Sequence, residues 1–385
     1  MNIFLFIGAI FIATLFLGRY LEKIRVPWIF AALIIGAGLA TYNPFGNIIE
    51  SETFETFAKL GMYFLLFLVG FELNIEKLKK KSGFIFRSAF FIIFLEGLLA
   101  SLVVHFAFGY DWIVSLLVAM SFATVGEAIL VPILQEFKLI NTPLGQSIIG
   151  IGTADDIIEI LLLIFASILV GTQAAQDSIF LILGSLAILI LLTASFSLFK
   201  KKREKFKFAN IETLFLFILF VFFVFIGVGE YAELAPLGAI LAGISIRLFI
   251  HNERLEFVEN ELKSWSYGFF APLFFVWAGA TLNIKYLSSL PLLILLVAGV
   301  SIGAKLFGSY IVGRKEIGTK GSILLGIGLS VRFSTSIIII KFLFDNGIVN
   351  SDIYSVVVAS SIIFMFIVPV LFSNLVTRWK FVPTS

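Results

Sequence analysis

The stretch Ser147-Ile-Ile-Gly150-Ile-Gly152-Thr-Ala-Asp155-Asp156-Ile-Ile-Glu159-Ile-Leu-Leu-Leu-Ile164 sets two adjacent aspartates in a strongly apolar run. One carboxylate at the centre of a membrane helix costs roughly 2.5–3.5 kcal/mol on insertion scales. Two in succession, with Glu159 one turn on, are not kept for packing. They point to the handling of a cation, a proton, or both. In a helix Asp155 and Asp156 differ by about 100°, so one can face an ion cavity while the other faces a neighbouring helix. Glu159 shares a side with either of them.

Outward from this run the chain stays apolar. It is 60% hydrophobic and 14% charged, with a mean hydropathy of +1.07. A soluble chain carries roughly a quarter charged residues, so the surplus apolar surface must face lipid. Cysteine is absent, which excludes disulfides, thiolate metal sites and cysteine catalysis. The net charge of +3 reflects basic residues in short loops and is no sign of nucleic-acid binding. The start, Met-Asn-Ile-Phe-Leu, lacks a basic n-region, so a retained helix is expected there.

Apolar stretches of roughly 15–26 residues recur throughout, a length range that fits membrane helices, short or broken ones included. About thirteen are expected, near 2–18, 27–41, 55–74, 84–108, 112–135, 145–170, 178–198, 211–229, 232–250, 266–283, 288–312, 319–343 and 351–376. Basic residues concentrate in alternate loops, above all Lys77 to Lys81 and Lys200 to Lys207, with Lys285 alone against the pattern. The positive-inside rule then puts the N-terminus outside and the C-terminus in the cytoplasm.

The basic loop 199–210 follows the seventh stretch and divides the chain into six helices, a linker helix and six more, a pattern that suggests an inverted-topology repeat. The fifth helix of each half is interrupted at membrane depth. The interruptions are Thr124-Val-Gly126-Glu127 with Pro132, and Gly326-Ile-Gly328-Leu-Ser330-Val-Arg332-Phe-Ser334-Thr335. Freed carbonyls and helix ends at such breaks can bind ions where a continuous helix could not. The expected fold is therefore an all-α polytopic membrane protein with two discontinuous, crossing helices.

Lys305 stands among small residues inside the eleventh stretch, where a lysine must find an anion or lose its proton. Its simplest partner is a carboxylate of the sixth stretch. If the breaks cross, Arg332 and Glu127 form a candidate second pair; the duller reading has Arg332 lining a cytoplasmic vestibule. Glu159, Ser334 and Thr335 are candidate vestibule residues. Glu96 and His105 stand apart, Glu96 as a residue paired within the bundle and His105 as an interfacial one.

Several motifs then agree in order and spacing: Phe122-Ala-Thr124-Val-Gly126 through Leu134-Gln-Glu136, Gly145, and Gly152-Thr-Ala-Asp155-Asp156. Arg25-Val-Pro27, Leu65 to Glu72, Leu237 to Gly243, Pro272 to Gly279 and the Lys305 segment join them. Together they resemble the monovalent cation:proton antiporter-2 family over essentially the whole membrane domain. The resemblance implies a homodimeric sodium/proton antiporter that works by alternating access and is no enzyme. It implies a dimerisation domain (1–83 and 211–287), a core translocation domain (84–170 and 288–376), and a linker helix with its basic loop (171–210).

By motif, Asp156 would be the principal sodium and proton carboxylate, Asp155 the partner of Lys305, and Thr124 with nearby backbone would complete the site. No cofactor is implied beyond the transported cation and proton. The Asp-Asp pair resembles the electrogenic sodium exchangers. The glutathione-gated potassium-efflux branch usually carries Gln-Asp and a nucleotide-binding domain, which is not expected after so short a tail. Many relatives carry Arg-Gly-Glu at the second break, where this chain has Arg332-Phe333-Ser334, and an uncharged residue where Glu127 stands. A potassium/proton antiporter of the same fold is the nearest alternative and a cation channel a distant one. An intramembrane aspartyl protease needs its aspartates on separate helices. A bacterial or archaeal inner membrane is the expected location.

Overall fold

The computed structural model describes residues 2–23, 26–72, 83–126, 130, 133–134, 137–140, 142–174, 179–199, 211–231, 234–250, 252–283, 291–332 and 334–379. Among them the regular structure is all helical. In chain order the elements are α1 (Ile3–Lys23), α2 (Phe30–Thr41), α3 (Gly46–Ile49), α4 (Glu52–Glu72) and α5 (Gly83–Phe108). Then come α6 (Trp112–Ala123), α7 (Pro143–Ala174), α8 (Ile179–Phe199), α9 (Ile211–Glu230) and α10 (Ala235–Phe249). α11 (Asn252–Trp265) runs through a π-helical turn, Ser266–Phe270, into α12 (Ala271–Ala280). α13 (Pro291–Leu329), α14 (Ser334–Asp345) and α15 (Ser351–Arg378) complete the chain.

Among the described residues each of the thirteen expected apolar stretches overlaps helix, and the fifth and twelfth are interrupted after Ala123 and after Leu329. The additions are the single turn α3 and the polar helix α11, neither of which has a membrane-length apolar run. Among the described residues six helices are long and apolar enough to cross a membrane, and five shorter apolar helices accompany them. Their exposed faces carry large apolar residues such as Phe4, Phe16, Leu191, Leu216 and Leu292, the surface a bilayer solvates.

The chain forms two compact units. The first comprises 1–11, 44–74 and 163–277. Its helices α4 and α10 meet at reciprocal glycines. A Cβ on Gly70 would lie 2.1 Å from the Ile240 carbonyl, and one on Gly243 would lie 2.1 Å from that of Phe67. Only hydrogen in place of Cβ permits this approach. Phe64 is stacked between Phe222 and Phe270, with ring centroids 4.2 Å apart on either side. At one end of α4, Arg247 donates to the Phe71 carbonyl, and Lys263 bridges Glu72 and Glu259. Arg247 thus meets a carbonyl that the C-terminal turn of α4 leaves open.

The second unit comprises 12–43, 75–162 and 278–385 and carries both breaks. α6 starts at Asp111, whose carboxylate accepts from the amides of Ile113 and Val114. It ends at Ala123, and Thr124 is extended. α13 folds back on itself at Gly318, whose φ of 71° suits glycine. The two arms lie so close that a Cβ on Gly326 would sit 2.8 Å from the Leu306 Cα. That fold brings Lys305 beside the end of the second arm at Leu329, where the second break begins.

Candidate ion-exchange site at the crossed helix breaks

The two breaks meet. The Gly126 amide donates to the Val331 carbonyl at 2.9 Å, and the Thr124 and Ser336 hydroxyls are 2.5 Å apart. Helix therefore stops on both strands of the crossing, and its unsatisfied polar groups converge on one buried volume. Lys305, fully buried, donates to the Thr124 carbonyl at 3.1 Å and to the Leu329 carbonyl at 2.5 Å. Its ammonium thus closes the C-terminal ends of α6 and of the second arm of α13, where the helix dipoles favour positive charge. Asp155, also buried, plays the complementary part: its Oδ2 accepts from the Val125 amide at 2.5 Å. One break thus has a cation on its carbonyl and an anion on its amide.

The counter-ion at Lys305 is a residue that the sequence reading paired within the bundle without a named partner. Glu96, in the middle of α5, is fully buried, and its Oε2 lies 3.3 Å from the Lys305 Nζ. Its Oε1 lies 3.1 Å from Arg332 Nη2 and accepts from the Ser301 hydroxyl, which itself receives an Arg332 N–H. Glu96 therefore serves both buried cations. Asp155 adds a second attractive interaction with Lys305, so the expected link between those two residues becomes one of two carboxylate contributions. The signal for Glu96 was present: an acid next to Gly97 in a 26-residue apolar helix. The sequence offered no direction for it, because its partners lie more than two hundred residues away.

Arg332 is fully buried, which removes the reading in which it lines a vestibule. Its guanidinium lies between two rings, 4.9 Å from Phe122 and 4.6 Å from Phe364. Such placement suits the weakly hydrated, planar guanidinium better than a lysine ammonium. The proposed partner Glu127 lies outside the described residues, as do the side chains of Asp156, Glu159 and Ser334; among the described residues the carboxylate paired with Arg332 is Glu96. Asp156 belongs to α7 directly after Asp155, and Thr335 is half-buried in the first turn of α14. His105 bonds the Tyr110 carbonyl and stacks on Trp112 near a helix end, away from these charges.

Two interrupted helices crossing at a buried cluster of acids and bases define the class, an inverted-repeat secondary transporter. The chain belongs to the sodium/hydrogen exchanger transmembrane family, whose pattern matches residues 9–378. It is 28% identical over 378 residues to probable Na(+)/H(+) antiporter 3 of Methanocaldococcus jannaschii, covering 97% of this chain and 95% of that one. It is 24% identical to the Na(+)/H(+)-K(+) antiporter GerN of Bacillus cereus, covering 94% and 93% respectively. The solved sodium proton antiporter MjNhaP1 of M. jannaschii superimposes with a TM-score of 0.67, at 17% identity and over 98% of this chain and 96% of that one. That likeness establishes the antiporter fold.

Proposed function

We propose that this protein exchanges sodium for protons across a prokaryotic cell membrane by alternating access, with Asp156 as the exchanged carboxylate. The charge balance of the crossing carries the reading. Among the described side chains Glu96 and Asp155 offset Lys305 and Arg332, so an ionised Asp156, next to Asp155 on the same helix, would add one negative charge to that set. A monovalent cation or a proton cancels it, and the loaded site passes a low-dielectric barrier more readily than the empty one. Competition of the two for one carboxylate couples outward sodium to inward protons.

Asp155, the Thr124 hydroxyl and carbonyls of the breaks would supply further oxygen ligands, as a hard cation prefers. Exchange is electrogenic when a second proton travels. Asp155 is its carrier in this reading, since Lys305 keeps Glu96 as counter-ion when the cation draws Asp155 away. The working unit would be a homodimer, with 1–83 and 211–287 as scaffold, 84–170 and 288–376 as the moving core and 171–210 as linker. Its N-terminus would face outside. Potassium exchange is the second reading, favoured by the sodium and potassium named for GerN.

The test is proton flux in proteoliposomes with sodium, lithium or potassium under an imposed potential. Sodium-driven flux that responds to the potential is expected. Flux with potassium alone would move the assignment to the second reading, and single-channel currents would reject exchange altogether.

A further inference from the structure

Arg332 carries more donors than its surroundings accept. Its Nη2 serves Glu96 Oε1 at 3.1 Å and the Ser301 hydroxyl. Nε and Nη1 are buried and have no hydrogen-bond partner among the described residues. The guanidinium lies between the Phe122 and Phe364 rings, which offer no carbonyl or carboxylate in their place. Buried donors that no protein group accepts are met by water.

Charge points the same way. Glu96 divides its two oxygens between Arg332 and Lys305. Asp155 adds attraction at Lys305, while at Arg332 Glu96 acts alone among the described carboxylates. Arg332 therefore keeps an excess of positive charge, and a guanidinium, unlike a buried ammonium, does not shed it by losing a proton. Its place is the level at which the two breaks meet. Val331, one residue before it, accepts from the Gly126 amide at 2.9 Å, and Phe122 closes the last turn of α6. Hydroxyls and open carbonyls at that level attract water and cations alike. Exchange fails if a cation slips past them without a proton returning. A fixed positive charge admits water and turns cations away, as arginines do in the constrictions of water pores.

Resting on the exchange reading above, we propose that Arg332 is the barrier that keeps the crossing tight to uncoupled cations. It neither binds sodium nor carries a proton; it determines coupling by denying a cation the hydrated space beside the breaks. Glu96 and Ser301 hold the guanidinium in place, and the two rings keep it from swinging aside. About half a unit of uncompensated charge, about 6 Å from a passing cation at an effective dielectric of about 20, changes that passage roughly tenfold.

The experiment uses the full chain in proteoliposomes, with uptake of radiolabelled sodium driven by an inside-negative potential. It is run in an Asp156→Asn background, where coupled exchange is expected to be lost and any uptake is leak. Asp156→Asn alone should be tight. Adding Arg332→Gln should raise sodium uptake about tenfold per reconstituted protein. Adding Glu96→Gln instead should leave it tight, although that change strands buried charge, because Arg332 remains. Adding both should leak as Arg332→Gln does. A tight Arg332→Gln, or a leak in Glu96→Gln equal to it, would overturn the barrier and mark the pair as structural. If Arg332→Gln does not fold, the variant that removes both partners decides by itself, and tightness there overturns the proposal. A wild-type protein without sodium-driven proton flux would overturn the exchange reading, and the barrier with it, whereas normal flux with a tight Arg332→Gln rejects only the barrier.

Discussion

Glu96 stands 3.3 Å from Lys305 and 3.1 Å from Arg332, so one buried carboxylate is shared by two buried cations, one inside the first arm of α13 and one in the break that follows its second arm. Removing one partner of a buried pair costs about 3–5 kcal/mol, because the remaining charge stays uncompensated. Glu96→Gln leaves two like charges facing each other and should lower thermal stability in detergent by more than Asp155→Asn does. Equal melting temperatures for the two variants would contradict this ordering.

Arg332 and Glu96 should also be energetically coupled. Arg332→Met alone removes one cation and Glu96→Gln alone removes the shared anion; together they leave Lys305 with Asp155. A double-mutant cycle in stability should give a coupling of about 1–3 kcal/mol, as contacting charged residues do. The same cycle with Glu127→Gln and Arg332→Ala, read in transport, tests the pair expected from the sequence. Strict additivity there would remove Glu127 from the network.

Asp156→Asn should abolish sodium-dependent proton movement in proteoliposomes while the protein folds normally, since Glu96, Asp155, Lys305 and Arg332 keep their mutual compensation. Asp155→Asn should slow exchange, because the cation-loaded site then carries one net positive charge, and should alter its response to membrane potential. Undiminished flux in Asp156→Asn would sink the assignment.

Thr124→Val tests the crossing without altering charge. It deletes the hydroxyl that contacts Ser336 but keeps the carbonyl that Lys305 uses. A buried hydroxyl left without its partner costs about 1–3 kcal/mol. We expect weaker apparent sodium affinity and a lower melting temperature, both partly restored by pairing with Ser336→Ala. Unchanged sodium KM would take the hydroxyl out of the ion's path.

Gly70→Ala probes the first unit, away from any charge. Its Cβ would fall 2.1 Å from the Ile240 carbonyl, and both are held by helix backbone. The helices must separate, so a loss of stability of about 1–3 kcal/mol is expected. A melting temperature equal to wild type would show that α4 and α10 have room to spare.

Helix positions, the polytopic class and the two breaks were all legible in the chain, because apolar run length and interruptions by Thr, Gly and Ser act locally. So were Lys305 and Arg332 as residues in need of anions. The pairing was not. Glu96 is joined to Ser301 and Arg332 across 205 and 236 residues of chain. An ion pair depends on distances of a few ångströms, which apolar periodicity does not encode. The fold-back at Gly318 sets Lys305 beside Leu329, and the crossing sets Thr124 against Ser336. The aspartate pair by itself determined that charge must be carried through an apolar barrier; only the tertiary structure decided which neighbours hold the rest of that charge in balance.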